Sequence, residues 1–104
     1  MPVTAIADRE IHVDAEGFMT EFDEWDRGLA ETLAETIGIT MTDDHWTVVD
    51  FMRKDFAENG VTPTLRRVAT EGTIPTKQLF ALFPKKPARK MAYIAGLPKP
   101  VGCI

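Results

Sequence analysis

The sequence predicts an α+β fold: a small N-terminal antiparallel β-meander packed on an array of about five helices, with a helix-turn-helix-like corner and an extended C-terminal arm. Three observations carry that prediction. Polar and apolar residues alternate through Glu10-Ile11-His12-Val13-Asp14, the period-two pattern of a half-buried strand. Apolar residues then recur at helical spacing, through Trp25, Leu29, Leu33 and Ile37, and again through Val48/Val49, Met52 and Phe56. The stretch from Gly96 to Ile104 is rich in glycine and proline. Its Pro98 and Pro100 fix φ and remove two backbone donors, so neither a helix nor a central strand is expected there. The expected organisation is one globular domain over 1–95 and a flexible arm over 96–104.

In chain order, residues 3–6, 10–14 and 18–19 read as the strands of the meander, turned at 7–9 and 15–17. A first helix is expected from about Asp23 to Ile37, with acids in its first turn and Gly38 just beyond its end. The second begins after Thr42 as N-cap and ends at Asn59-Gly60. His45, Val48/Val49, Met52 and Phe56 lie on one side of it, and Arg53, Lys54 and Asp55 on the other. Thr62-Pro63 is expected to open the third helix, with Thr62 as cap, Leu65 and Val68 inward, and Arg66 and Arg67 outward. A fourth runs from Pro75 or Thr76 through Leu79, Phe80, Leu82 and Phe83 to Pro84. Pro87 opens a fifth, with Arg89 and Lys90 exposed, and Gly96 stops it and serves as a hinge.

Composition narrows the function classes. With 44% hydrophobic and 27% charged residues the chain is ordinary for a globular protein, and no apolar run approaches the ~20 residues that span a bilayer. No signal peptide is read at the start. One cysteine excludes an internal disulfide framework, and a reducing cytoplasm is the simplest compartment. Residues 1–60 carry 15 acids against 4 Lys/Arg, whereas 61–104 carry 8 Lys/Arg against Glu71 alone. A bipolar surface follows, and its basic side would steer toward acidic partners or nucleic acid.

The arm holds the candidate chemistry. Cys103, its lone thiol, stands near the tip of a semi-stiff segment, with Gly102 stripping bulk beside the sulfur and Pro100 keeping the approach thin. A thiolate is a nucleophile that needs access, and a thin tip suits entry into a partner's channel. A free cysteine is equally a small hydrophobe, so the arm's composition alone leaves both readings open. His12 and His45 show no ligand spacing with Cys103, no metal site is expected, and His45 reads as a structural hydrogen-bonding residue. No glycine-rich phosphate loop is present and no cofactor is expected. A rival reading is a nucleic-acid-binding regulator. Helices three and four would form a helix-turn-helix, with Arg66, Arg67 and Lys77 on phosphates; direct binding of this kind is the weaker expectation.

Several of these stretches resemble one family. Ile94-Ala95-Gly96-Leu97-Pro98-Lys99-Pro100-Val101-Gly102-Cys103-Ile104 resembles the C-terminal arm of the DsrC/TusE family of sulfur-relay proteins. Asp14-x-x-Gly17-Phe18, Trp25, Thr42-x-x-His45-Trp46-x-Val48-Val49 and Leu82-Phe83-Pro84-Lys85-x-Pro87-Ala88 extend the resemblance over nearly the whole chain. Position 86 is Lys where the family usually has Gly. The resemblance implies a β-meander on about five helices, and persulfide sulfur carried on Cys103. The DsrC branch has a second cysteine where this chain has Ala92, so an internal disulfide or trisulfide is excluded and the one-cysteine carrier role of the TusE type remains. Gly102 is nearer the DsrC pattern. The implied partners are sulfur-donor and sulfur-acceptor proteins: a Tus-type relay, a tRNA-thiolating enzyme, or a sulfite reductase or heterodisulfide-reductase-like complex, with no membrane involved. Lys85, Lys86, Arg89, Lys90 and Lys99 are the expected docking cations, with Pro100 and Gly102 at the inserted tip.

Overall fold

The computed structural model of the protein describes residues 3–6 and 9–98. Strands β1 (Val3–Ile6) and β2 (Arg9–His12) pair antiparallel in the register Val3↔His12 to Ile6↔Arg9. The third strand of the expected meander is reduced to one antiparallel bridge, Val13↔Met19. The reason lies in Asp14, whose carboxylate accepts from the Glu16 and Phe18 backbone N–H groups at 2.8 and 3.0 Å. Gly17 supplies a φ of +91°. This tight turn consumes the donors that a longer ladder would use. Ile11, Val13 and Met19 point inward, as the alternation predicts.

The first long helix starts later than expected. Phe22–Glu24 form a short 3-10 turn, Trp25 is extended, and Asp26 caps α1 (Arg27–Thr36) by accepting from the Leu29 N–H at 2.8 Å. Asp26 outcompetes Asp23 as a helix start because the break at Trp25 lets its indole reach a distant carbonyl. Leu29, Ala30, Leu33 and Ala34 form the buried face of α1. Gly38, at φ +78°, ends it: Gly38 N–H donates to Glu35 and Ile39 N–H to Ala34, at 3.0 and 2.8 Å.

Helix α2 (Asp43–Asn59) begins after Thr42 as expected and stops at Gly60 in the left-handed region. His45 serves its capping box. Nδ1 accepts from the Thr42 N–H at 3.1 Å, which puts the ring proton on Nε2, donated to the Leu82 carbonyl at 2.8 Å. His45 is thereby the structural residue that its helix position suggested. Asp55, expected on the solvent side, is only 5% exposed. It accepts from Arg67 Nε and Nη2 at 2.9 and 2.7 Å and from Asn59 Nδ2 at 3.0 Å.

Helix α3 (Leu65–Glu71) is capped by Thr64, which accepts from the Arg67 N–H at 3.1 Å, and not by Thr62. Thr62 precedes a proline, which disfavours helical geometry there. Helix α4 (Thr76–Leu82) follows Pro75. Its Phe83 end is fully buried, whereas Phe80 is 49% exposed. Helix α5 (Pro87–Ala95) has Pro87 at its first turn and Gly96 at φ +70° beyond its end.

Two buried clusters meet. Residues of all five helices form the larger one; Ile11, Val13, Met19, Leu29 and Leu33 form the smaller. Trp25 and Tyr93 pack against both and join the strands to the helices.

Candidate functional site

The site is built outward from the C-terminal end of α5, because the segment with the thiol begins there. A helix end leaves four carbonyls without intrahelical partners. Here each is claimed. The Leu97 N–H donates to Ala92 at 3.0 Å and the Gly96 N–H to Tyr93 at 3.3 Å, the paired bonds of a Schellman cap. The Trp25 indole Nε1–H donates to Ile94 at 2.8 Å, and Arg53 Nη1 donates to Ala95 at 2.8 Å.

Gly96 is required twice over. Its backbone is left-handed, and a Cβ there would stand 2.3 Å from Trp25 Cδ1 and 3.0 Å from Met19 Sδ. Leu97 is fully buried and belongs to the core. The Pro98 carbonyl accepts from Thr62 Oγ1 at 2.8 Å. Gly96 therefore stops the helix as expected, but the body grips it, so the described chain hinges at neither Gly96 nor Leu97.

Arg53 lies between two rings, its guanidinium carbon 3.9 Å from the Phe22 centroid and 4.1 Å from that of Trp25. Its Nη2 also donates to the Phe22 carbonyl at 2.9 Å. Burial lowers the Arg53 pKa from its ordinary value, and Asp23 works in the opposite direction. Burial also pushes the Tyr93 phenol up. A cation at the C-terminal end of α5 complements the negative end of the helix dipole.

The opposite end of α5 holds the basic residues. Lys85 and Lys86 are exposed in the turn between Pro84 and Pro87, with φ +60° and +50°. A left-handed backbone at Lys86 accounts for the glycine usual there in the resembled family. Arg89 and Lys90, expected to be exposed, are half-buried and engaged. Arg89 Nη2 donates to Glu16 at 3.1 Å, and Lys90 Nζ donates to the Pro84 carbonyl. A nine-residue helix is about 13 Å long, so the two ends of α5 are well separated. Lys99, Pro100, Gly102 and Cys103 lie outside the described residues.

For the rival reading, α3 and α4 do form a corner, but the Arg67 fork is bound to Asp55. That hydrogen bond is the first cause raising the Arg67 pKa. Among the described residues, no cluster of His, Cys, Asp and Glu could hold a metal ion, and no helix is long and apolar enough to cross a membrane.

Sequence reasoning missed the grip on α5. Trp25 read as packing, Arg53 as solvent-facing and Thr62 as a cap. One signal was present: an indole on an apolar stripe carries a donor that must find an acceptor. Nothing local marks Arg53 or Thr62, whose acceptors lie 42 and 36 residues away.

Three comparisons bear on this arrangement. A family model described as "DsrC like protein" matches residues 5–104. The sulfurtransferase TusE of Yersinia pseudotuberculosis serotype I is 41% identical over 92% of this chain and 95% of its own. Among solved structures, DsrC of Allochromatium vinosum superposes with a TM-score of 0.80 at 28% identity, over 98% of this chain and 97% of that one. The oxidized γ-subunit of the dissimilatory sulfite reductase (DsrC) from Archaeoglobus fulgidus gives 0.75 at 31% identity, over 99% and 100%.

Proposed function

Since the chain belongs to the DsrC-like family, we propose that it is a sulfur carrier, taking sulfane sulfur onto Cys103 and passing it to a partner protein. The relationship to a protein named a sulfurtransferase, over most of both chains, carries this reading. The Cys103 thiolate attacks the outer sulfur of a donor persulfide, R–S–SH. The donor S–S bond breaks, R–S⁻ leaves, and Cys103–S–SH forms. An acceptor thiolate then takes the outer sulfur and releases the Cys103 thiolate. One sulfane sulfur moves in each step, so no external oxidant or reductant is consumed.

Residues 1–95 act as the body, which also holds Gly96, Leu97 and the Pro98 carbonyl, and the segment beyond Pro98 acts as the arm that enters a partner. Lys85 and Lys86 dock an acidic rim, with Arg89, Lys90 and Lys99 adding positive charge, and Pro100 and Gly102 keep the tip thin. Ala92, fully buried on α5, leaves Cys103 without a second thiol in the chain. That favours intermolecular hand-over in the reducing cytoplasm, in tRNA 2-thiouridine synthesis or dissimilatory sulfur metabolism. The test is intact mass after incubation with glutathione persulfide. A gain of one sulfur, about 32 Da, is expected, and it should disappear in Cys103→Ser. No gain, or a gain that survives the substitution, rejects the carrier role.

A further inference from the structure

The geometry points to Thr62 as a positioning residue for sulfur delivery: its hydroxyl locks the last free backbone dihedral before the thiol-bearing segment. The inference rests on the carrier reading of Cys103. Backbone freedom is removed step by step along the exit. Gly96 is wedged against Trp25 and Met19. Leu97 is buried in the core and tied by its N–H to Ala92. The pyrrolidine ring fixes φ of Pro98. What remains is ψ of Pro98, which alone decides where the peptide to residue 99 points.

Proline occupies two ψ basins, helical and extended, and these send the following chain in very different directions. Rotation about ψ swings the Pro98 carbonyl oxygen, and that oxygen accepts from Thr62 Oγ1 at 2.8 Å. The bond therefore selects one basin. Thr62 is suited to holding it. The residue is only 7% exposed, and the Pro63 that follows restricts its backbone. Thr64 performs the capping of α3, so the Thr62 hydroxyl is left to serve the exit.

The direction matters because the tether is short. From Pro98 to Cys103 the chain spans at most ~17 Å, so its starting direction restricts the volume the sulfur can sample. Confinement of that kind raises the effective concentration of the thiol at a docked partner's site.

The test places a nitroxide on Cys103, the chain's one cysteine, and maps broadening of backbone amide signals in wild type, Thr62→Val and Thr62→Ser. Wild type and Thr62→Ser, which keep the hydroxyl, are expected to broaden one shared set of body amides. Thr62→Val is expected to lose that confinement and broaden a second set, with unchanged amide shifts in α1 and α2 showing an intact body. If Thr62→Val does not fold, Thr62→Ala takes its place. A wild-type map in the hydroxyl-free variant, or loss of confinement in Thr62→Ser, overturns the role of Thr62. The sulfur-uptake assay on unlabelled wild type is independent: its failure rejects the carrier reading, whereas an unchanged broadening map rejects only the lock.

Discussion

The two ends of α5 are built on opposite principles. At the C-terminal end all four terminal carbonyls have donors, the left-handed position is a glycine, and the next residue is core. At the N-terminal end two consecutive lysines occupy left-handed backbone, exposed, between prolines. Non-glycine residues in that region persist only where the surroundings hold them, at a cost of order 1 kcal/mol each. One end is over-determined, and its grip continues through buried Leu97 to the Pro98 carbonyl. The other keeps charge at the surface at the expense of backbone strain. On the proposed carrier reading, the first end would set the exit of the arm and the second would offer its docking patch.

Disrupting the C-terminal end should have the largest effect. Gly96→Ala drives a methyl group into the Trp25 ring and adds left-handed strain, so a loss of about 3 kcal/mol is expected in urea unfolding. A loss below about 1 kcal/mol would mean that Trp25 yields and that the grip is looser than its bonds imply.

The N-terminal end should respond in the opposite direction. Lys86→Gly relieves a φ of +50° and should stabilise the protein by about 0.5–1 kcal/mol, after the entropic cost of glycine. Weaker binding to an acidic partner in the same variant would tie the strain to recognition. Stabilisation with unchanged binding would make the strain incidental.

The subtlest comparison uses Tyr93, the chain's single tyrosine, on the C-terminal half of α5. Burial raises its phenol pKa above the ordinary value of 10.0. A raised folded pKa means that this contribution to stability is complete below the unfolded value and is lost as pH rises through the folded one. Absorbance at an ultraviolet phenolate band should therefore titrate at higher pH in buffer than in denaturant. Coincident curves would show that this side of α5 is wet.

Much of the fold was legible because its signals act within a few residues. Thr42 before α2, Gly38 and Gly60 beyond their helices, Pro87 at the start of α5 and Gly96 at its end are all local devices, and each sits where the chain's pattern put it. The misreadings share one cause. The apolar stripe from Trp25 to Ile37 is continuous in sequence, yet the helix begins only after Asp26, because the Trp25 indole is spent on a carbonyl 69 residues away. Thr62-Pro63 has the form of a helix start, yet its hydroxyl goes to Pro98 and Thr64 takes the cap. Arg53 faces outward on a helical wheel, but two rings and two carbonyls fold over it.

By itself the amino-acid order determined the element types, most of their boundaries, the charge division and a lone thiol near a Gly/Pro-rich segment. These follow from backbone sterics, capping and periodicity, which are read over a turn or two of chain. Only the tertiary structure decided what grips the end of α5 and which cations remain at the surface. Those outcomes depend on donors meeting carbonyls and carboxylates from distant segments, and no local pattern records which of several satisfying partners packing will bring within 3 Å.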